Sequence, residues 1–419
     1  MNKINLDIKK HKLSNGLEVI SIKKESQIAS INVGVRVGAI YENIDEKGIS
    51  HFIEHMLFKG TEKRDNKKLN KDLEALGGEY NAYTDYNETV YTISCLSEEL
   101  KKAVVLLGDM MTSSIFSESE IERERGVILS EIRSNKDDIE DLSFKKTNEV
   151  AFEKSPLKYD VTGLEKGVSK FRREEIYKYY KKYYTPDNII VTVVSPFEHS
   201  EILEMVEGEF QKENWNSNKS INRSPKVIME KNKNITKVSY KNDIEQSSII
   251  YLYTFYDLEK KDELPLKILN HRLGESANSL LFREIREEKG LAYDVYTHLD
   301  MTKNVKSLYI YTAVSNEDVN KTIKAIDEII KKVVNGEIIF GEEDLEIMKK
   351  VHKTAVISTL EDSAELCNYV LHQELDNEEI FEFVKDMEKL NKLNIEQIIN
   401  VARKVLKEPT IHVLTKRKE

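Results

Sequence analysis

Residues 47–64 read KGISHFIEHMLFKGTEKR. At 100° per residue, Ile49, Ile53 and Met56 form one stripe of a helix, and His51, Glu54 and His55 gather on the opposite side. A solvated face would normally carry Lys, Asp or Glu. This one carries two imidazoles, one carboxylate and Phe58, so it is expected to lie against something. Histidines at i and i+4 can bring both rings to one first-row metal ion, and nitrogen ligation of this kind suits zinc. The carboxylate between them is placed to take a proton from water that such an ion acidifies. The alternative is an amphipathic helix whose outward face happens to hold two histidines.

A catalytic zinc site takes three protein ligands and leaves one position open. The stretch IERERGVILSEI (121–132) is a helix with an apolar stripe through Ile121, Ile128 and Ile132, flanked by Val127. Glu124 and Glu131, two turns apart, project between Val127 and Ile128. Carboxylates inside a buried stripe are costly unless paired or metal-bound. One of the two can therefore complete the site while the other orients a ligand histidine from behind. The helix alone does not decide which. The order HxxEH inverts the HExxH pattern of zinc peptidases.

Working outward, the chain has 419 residues, enough for two domains or for two similar halves. It carries 64 basic and 74 acidic residues, a formal charge of −10, which disfavours nucleic acid or an anionic membrane as a general partner. Two cysteines, Cys95 and Cys367, lie far apart, which argues against a disulfide framework and a thiolate metal site. No apolar run approaches the roughly 20 residues that span a bilayer, and the opening MNKINLDIKKHKLSNG has no apolar core of a secretory signal. A cytoplasmic setting is the expectation.

Strand-like and helical patterns alternate throughout. LEVISIKK and INVGVRVGAIYE read as strands, EYNAYTDYNETVYTISCL as two strands around Tyr86-Asn87, and the segments after Ser97 and Ser117 as serine-capped helices. The polar stretch 213–233 reads as a linker between a first half, 1–212, and a second, 234–419. REEIYKYYKKYYTPDNIIVTVVSP closes the first with helix, Pro-marked turn and strand; NIEQIINVARKVLKEPTIHVLTK closes the second the same way. In the first of these, Ile176, Tyr179, Tyr180 and Tyr183 share one helix face, expected to be core rather than a nucleic-acid platform. The fold class is α+β, with two copies of one α/β layer unit.

GISHFIEHMLFKGT, GGEYNAYTDYNETVYT, ERERGVILSEI and, in the second half, ILNHRLGESANSLLFREIREEKGLAYDVYTHL together resemble the pitrilysin/insulinase metallopeptidases, in particular their single-length bacterial branch similar to mitochondrial processing peptidase. The resemblance covers nearly the whole chain. It implies two homologous halves, each a mostly antiparallel sheet packed with helices, in a zinc endopeptidase. It makes His51, His55 and Glu131 the ligands of one zinc ion per chain, Glu124 the partner behind a ligand, and Glu54 the general base. Asn81, Ala82, Tyr83 and Thr84 would form an edge strand that receives peptide substrate. Arg286 and Tyr293 would bind the substrate backbone, and across a homodimer they would complete the partner chain's site. From sequence alone, Gly290 is a C-cap that ends the LLFREIREEK helix between that Arg and Tyr. The second half has His271 but no histidine four residues on, so it is expected to be metal-free. ESANSLL departs from the family's usual Ser-Arg step. Some relatives of this kind are non-catalytic subunits of larger complexes, which is the competing expectation. The acidic run Asp137, Asp138, Glu140 and Asp141 is expected to be a solvated helix end rather than a substrate pocket.

Overall fold

The computed structural model describes residues 6–216, 228–337 and 341–417. Among these residues eleven strands run in chain order as β1 (Asp7–Lys12), β2 (Glu18–Lys23), β3 (Ile28–Val35), β4 (Glu79–Thr84), β5 (Thr89–Leu96), β6 (Ile189–Ser195), β7 (Ile235–Tyr240), β8 (Ser247–Thr254), β9 (Ala292–Asp300), β10 (Ser307–Val314) and β11 (Thr410–Thr415). They form two sheets, ordered β1-β2-β6-β3-β5-β4 and β7-β11-β8-β10-β9. Among the described residues the only parallel pairs are β2 with β6 and β7 with β11. Laying β2 to β6 on β7 to β11 in chain order reproduces the same neighbours and directions. The duplication read from the two half-endings is therefore a duplication of sheet topology, with β1 added at one edge.

The inner strands explain their own sequences. β3 (IASINVGV) sits between β6 and β5 and is buried after its first residue, so it reads as a continuous run rather than an alternation. β4 (EYNAYT) ends its sheet and is exposed over its first three residues. The tyrosine helix Arg173–Tyr183 buries Ile176, Tyr179, Tyr180 and Tyr183, as its periodicity implies.

Two compact units result, and each takes a helix from the far half of the sequence. The first contains Met1–Ile132, Asp160–Lys226 and Ile357–Glu382; the second contains Arg133–Tyr159, Val227–Val356 and Phe383–Glu419. Each sheet's strands lie within 1–212 or 234–419, but packing exchanges one segment in each direction. Helix Ser363–Leu375 lies on the first sheet, where Cys367 Sγ is 3.2 Å from the Thr192 carbonyl and 3.6 Å from that of Ser30. Helix Ile139–Ala151 lies on the second, where Phe144 meets the rings of Tyr309 and Tyr311 at 5.2 and 5.9 Å. Part of the 213–233 linker falls outside the described residues. Both cysteines are free and buried. Among the described residues no helix is long and apolar enough to cross a membrane.

Two local expectations change, and a third gains detail. Ser97 opens a 3-10 turn and donates to the Ser26 carbonyl, so helix Leu100–Ser113 starts without a serine cap. Ser117 does accept from the Glu120 N–H at 3.4 Å. The LLFREIREEK segment winds wider than an α-helix over Phe282–Glu288, with Lys289 N–H reaching the Glu284 carbonyl; Gly290 ends it at φ +60°. In the acidic run, Asp138 accepts the N–H groups of Glu140 and Asp141 as an N-cap, and Glu140 accepts the Tyr296 hydroxyl. Those two have structural employment inside the second unit.

Candidate metal centre

The helix Ile49–Leu57 is fixed at its start by two devices. Gly48 takes φ +97°, and a Cβ there would stand 2.6 Å from the Thr162 carbonyl oxygen. The buried Glu42 carboxylate then accepts the N–H of Gly48 at 3.0 Å and of Ser50 at 2.9 Å, satisfying donors that a helix start leaves open. Ile49, Phe52, Ile53, Met56 and Leu57 enter the core. That fixes the rotation of the helix and turns His51, Glu54 and His55 toward the second element, helix Glu118–Asp137. This one is anchored by buried Ile121, Ile128 and Ile132.

Glu131 meets both histidines. Its Oε1 is 3.5 Å from His51 Nε2 and its Oε2 is 3.6 Å from His55 Nε2. The three side chains offer ligand atoms within 4.8 Å of one another, and they are the one such group among the described residues. Glu124, 3% exposed, lies behind: its Oε2 is 3.2 Å from His55 Nδ1 and its Oε1 is 2.9 Å from Lys59 Nζ. The helix periodicity left the roles of Glu124 and Glu131 open; their distances separate a carboxylate facing both rings from one holding a ring's far side.

Charge in this cluster is poorly compensated by the protein itself. Burial raises Glu131, with the nearby His55 opposing. Burial also raises Glu54, against a hydrogen bond from Thr84, whose hydroxyl donates to Oε2 at 2.7 Å. Glu124 is the exception: burial pushes it up, but the bonds from His55 and Lys59 win and hold it low. Burial, with His55 beside it, pushes His51 down to about 4, so at neutral pH it is the uncharged ring that a metal needs. A tetrahedral ion with bonds of about 2.0–2.1 Å sets its donors roughly 3.3–3.4 Å apart. The observed 3.5 and 3.6 Å, each to a different Glu131 oxygen, are close to that spacing, and the His₂Glu donor set suits zinc. His51 Nδ1 is buried without a partner among the described residues, so packing rather than a hydrogen bond orients that ring.

The Glu42 clamp has a measurable consequence. Burial pushes its carboxyl up to about 7, against the Gly48 and Ser50 N–H groups and Lys47. The folded state thus holds this proton more tightly than the unfolded chain, whose group titrates near 4.5. The contribution to stability is full below that value and is lost as pH rises through about 7. The scale is on the order of 3 kcal/mol. Urea midpoints measured from pH 4 to 8 should show a fall that Glu42→Gln removes; parallel curves for the two proteins would contradict it.

The edge-strand residues divide by face. Thr84 is buried beside Glu54, Ala82 packs on the core, and Asn81 is exposed with its Oδ1 accepting the Ala82 N–H at 2.9 Å. Tyr83 points to the other face. In the second unit, the Arg286 guanidinium lies between two rings, 4.6 Å from Phe282 and 4.7 Å from Tyr293, and Tyr293 is 75% exposed. Sequence reasoning missed Lys59, Phe282 and the Glu42 clamp. Lys59 stands four residues after His55 and Phe282 four before Arg286, so helical spacing could have found both. Glu42 precedes the helix in an irregular segment and carries no periodic signal. His271, in the second unit, pairs with Glu275 at 3.4 Å and joins no three-donor group among the described residues.

The sequence pattern described as insulinase (peptidase family M16) matches residues 18–164, and that described as the peptidase M16 inactive domain matches 170–351. A Rickettsia felis protein named an uncharacterized zinc protease is 30% identical over 408 residues, covering 95% of each chain. Cytochrome b-c1 complex subunit 1 of Bos taurus is 33% identical over 198 residues, 47% of this chain and 41% of that one. Among solved structures, a protease from Helicobacter pylori superposes with a TM-score of 0.92 at 23% identity, covering 98% of this chain and 99% of that one.

Proposed function

Because the chain belongs to the insulinase family, peptidase family M16, we propose that it is a zinc-dependent endopeptidase acting on peptides or unfolded polypeptides. The observation that carries this reading is the convergence of His51, His55 and Glu131, with Glu54 close enough to feel the charges of His55 and Glu131. In this reading the three residues hold one zinc ion per chain, and Glu124 orients His55 through Nδ1. Bound zinc supplies Lewis acidity, which acidifies water and polarises a carbonyl. Glu54 takes the proton from the attacking water and delivers it to the leaving amine. Thr84 fixes the Glu54 carboxylate for both transfers. Asn81, Ala82, Tyr83 and Thr84 receive the peptide as an added strand on the free side of β4, which selects extended chains. Arg286 and Tyr293 hold the substrate backbone, with the Tyr293 hydroxyl donating to the developing oxyanion.

A mixed quenched-peptide library is the direct test. The zinc-supplied protein should hydrolyse part of it, lose that activity to a chelator and regain it with zinc. Silence in both states would sink the reading. The likeness to a cytochrome b-c1 complex subunit motivates a second one, a non-catalytic structural or partner subunit of a peptidase-like complex. Zinc content separates them, at one ion per chain for the peptidase and none for the subunit.

Each chain carries one donor cluster and one Arg286–Tyr293 pair, and we assign them to each other across a homodimer. Glu54→Gln and Arg286→Ala proteins, inactive alone, should regain activity when unfolded together and refolded, because one site of the mixed dimer then has both residues. If both residues act within one chain, the mixture stays inactive.

A further inference from the structure

We infer that His372, contributed by the distant helix Ser363–Leu375, is a positioning residue that locks the substrate-receiving strand β4 through Tyr83. This rests on the peptidase reading above. β4 pairs with β5 on one side and, among the described residues, has no neighbouring strand on the other. Such an edge is free to twist and fray unless something holds it. Successive side chains of a strand point to opposite faces, so adjacent residues can tie it down from both sides. Here they do. On one face, Thr84 donates to Glu54 Oε2 at 2.7 Å. On the other, the Tyr83 hydroxyl lies 2.7 Å from His372 Nε2 and 3.1 Å from Asn368 Oδ1, with the Tyr83 and His372 rings stacked at 6.3 Å and 12°.

The far side of the imidazole faces a buried carboxylate. His372 Nδ1 is 3.5 Å from Oε1 of Glu88, a carboxylate 2% exposed in the turn between β4 and β5. Asn368 and His372 stand one turn apart on a helix whose Leu366, Cys367, Val370 and Leu371 are buried. Through Cys367 that helix is seated on the central strands β3 and β6. The lock therefore references the edge strand to the middle of the sheet. Since Thr84 ties the next residue to the proposed base, the position of a bound peptide strand and that of Glu54 are set together.

The test uses the full-length zinc-loaded protein and a quenched peptide found in the library. Tyr83→Phe keeps the ring and drops the hydroxyl; His372→Ala drops the imidazole; His372→Gln restores a polar group of similar reach. Strand addition is ground-state binding, so losing the lock should raise KM about tenfold in Tyr83→Phe and in His372→Ala, with kcat per bound zinc unchanged. The double variant should be no worse than either single one, and His372→Gln should recover at least half of the loss. Wild-type KM in Tyr83→Phe, or a fall in kcat per zinc at constant KM, would overturn the inference and leave the peptidase standing. A wild-type protein that cleaves nothing would overturn both.

Discussion

Replacing Glu54 by Gln will lower kcat on the order of a thousandfold while leaving one zinc ion per chain. Glu54 stands outside the three-donor cluster, so the metal does not depend on it. The amide is nearly the same shape and keeps an oxygen to accept the Thr84 hydroxyl, so the helix and strand should stay in place. What it lacks is a basic site for the proton of the attacking water. Burial raises the native carboxyl, which makes it a stronger proton acceptor than an exposed glutamate. The measurement is turnover per bound zinc for the two proteins side by side. Equal turnover would remove Glu54 from the chemistry. Zinc lost in proportion to activity would place it among the ligands instead.

Glu131→Gln will strip the metal. Glu131 is the one carboxylate facing both imidazoles, and its two oxygens reach one ring each. The amide keeps one weak acceptor oxygen and loses the negative charge that a dication needs in a half-buried site. Zinc affinity should fall by more than the roughly 10–100-fold that follows loss of an outer partner. Glu124→Gln supplies that comparison, since Glu124 touches only the far nitrogen of His55 and Lys59. Competition against a chromophoric chelator reads both. Undiminished affinity in Glu131→Gln would refute its assignment, and a larger loss in Glu124→Gln would exchange the two roles.

The distance along the chain over which each contact acts explains how much of the site is legible in the sequence. His51, Glu54 and His55 lie within two helical turns, and Glu124 and Glu131 within another two. A period of 3.6 residues places each set on one face whatever the rest of the chain does. Gly290 and the tyrosine helix are readable for the same reason. The acidic run illustrates the limit. Its charge suggests a solvated helix end, and a cap at Asp138 is local enough to infer, but the bond from the Tyr296 hydroxyl to Glu140 spans 156 residues.

Helices Ile139–Ala151 and Ser363–Leu375 mark the boundary most clearly. An apolar stripe through Leu366, Val370 and Leu371 announces that the second will be covered, and a stripe of small residues, Ser143, Thr147 and Ala151, is the covered face of the first. The stripes carry nothing about which sheet will cover them, because burial is non-directional and two sheets of the same topology offer similar surfaces. Tertiary packing makes that choice and sends each helix to the sheet built from the other half of the sequence. It also sets His372 against Tyr83 across 289 residues and Thr84 against Glu54 across 30. Local patterns are thus enough for the candidate donors on their two helix faces and for the duplicated halves, while the choice of Glu131 over Glu124 as the carboxylate facing both rings rests on tertiary distances. The partners that hold those donors and the edge strand in place depend on long-range contacts, and these exist only once both faces of the sheet are covered.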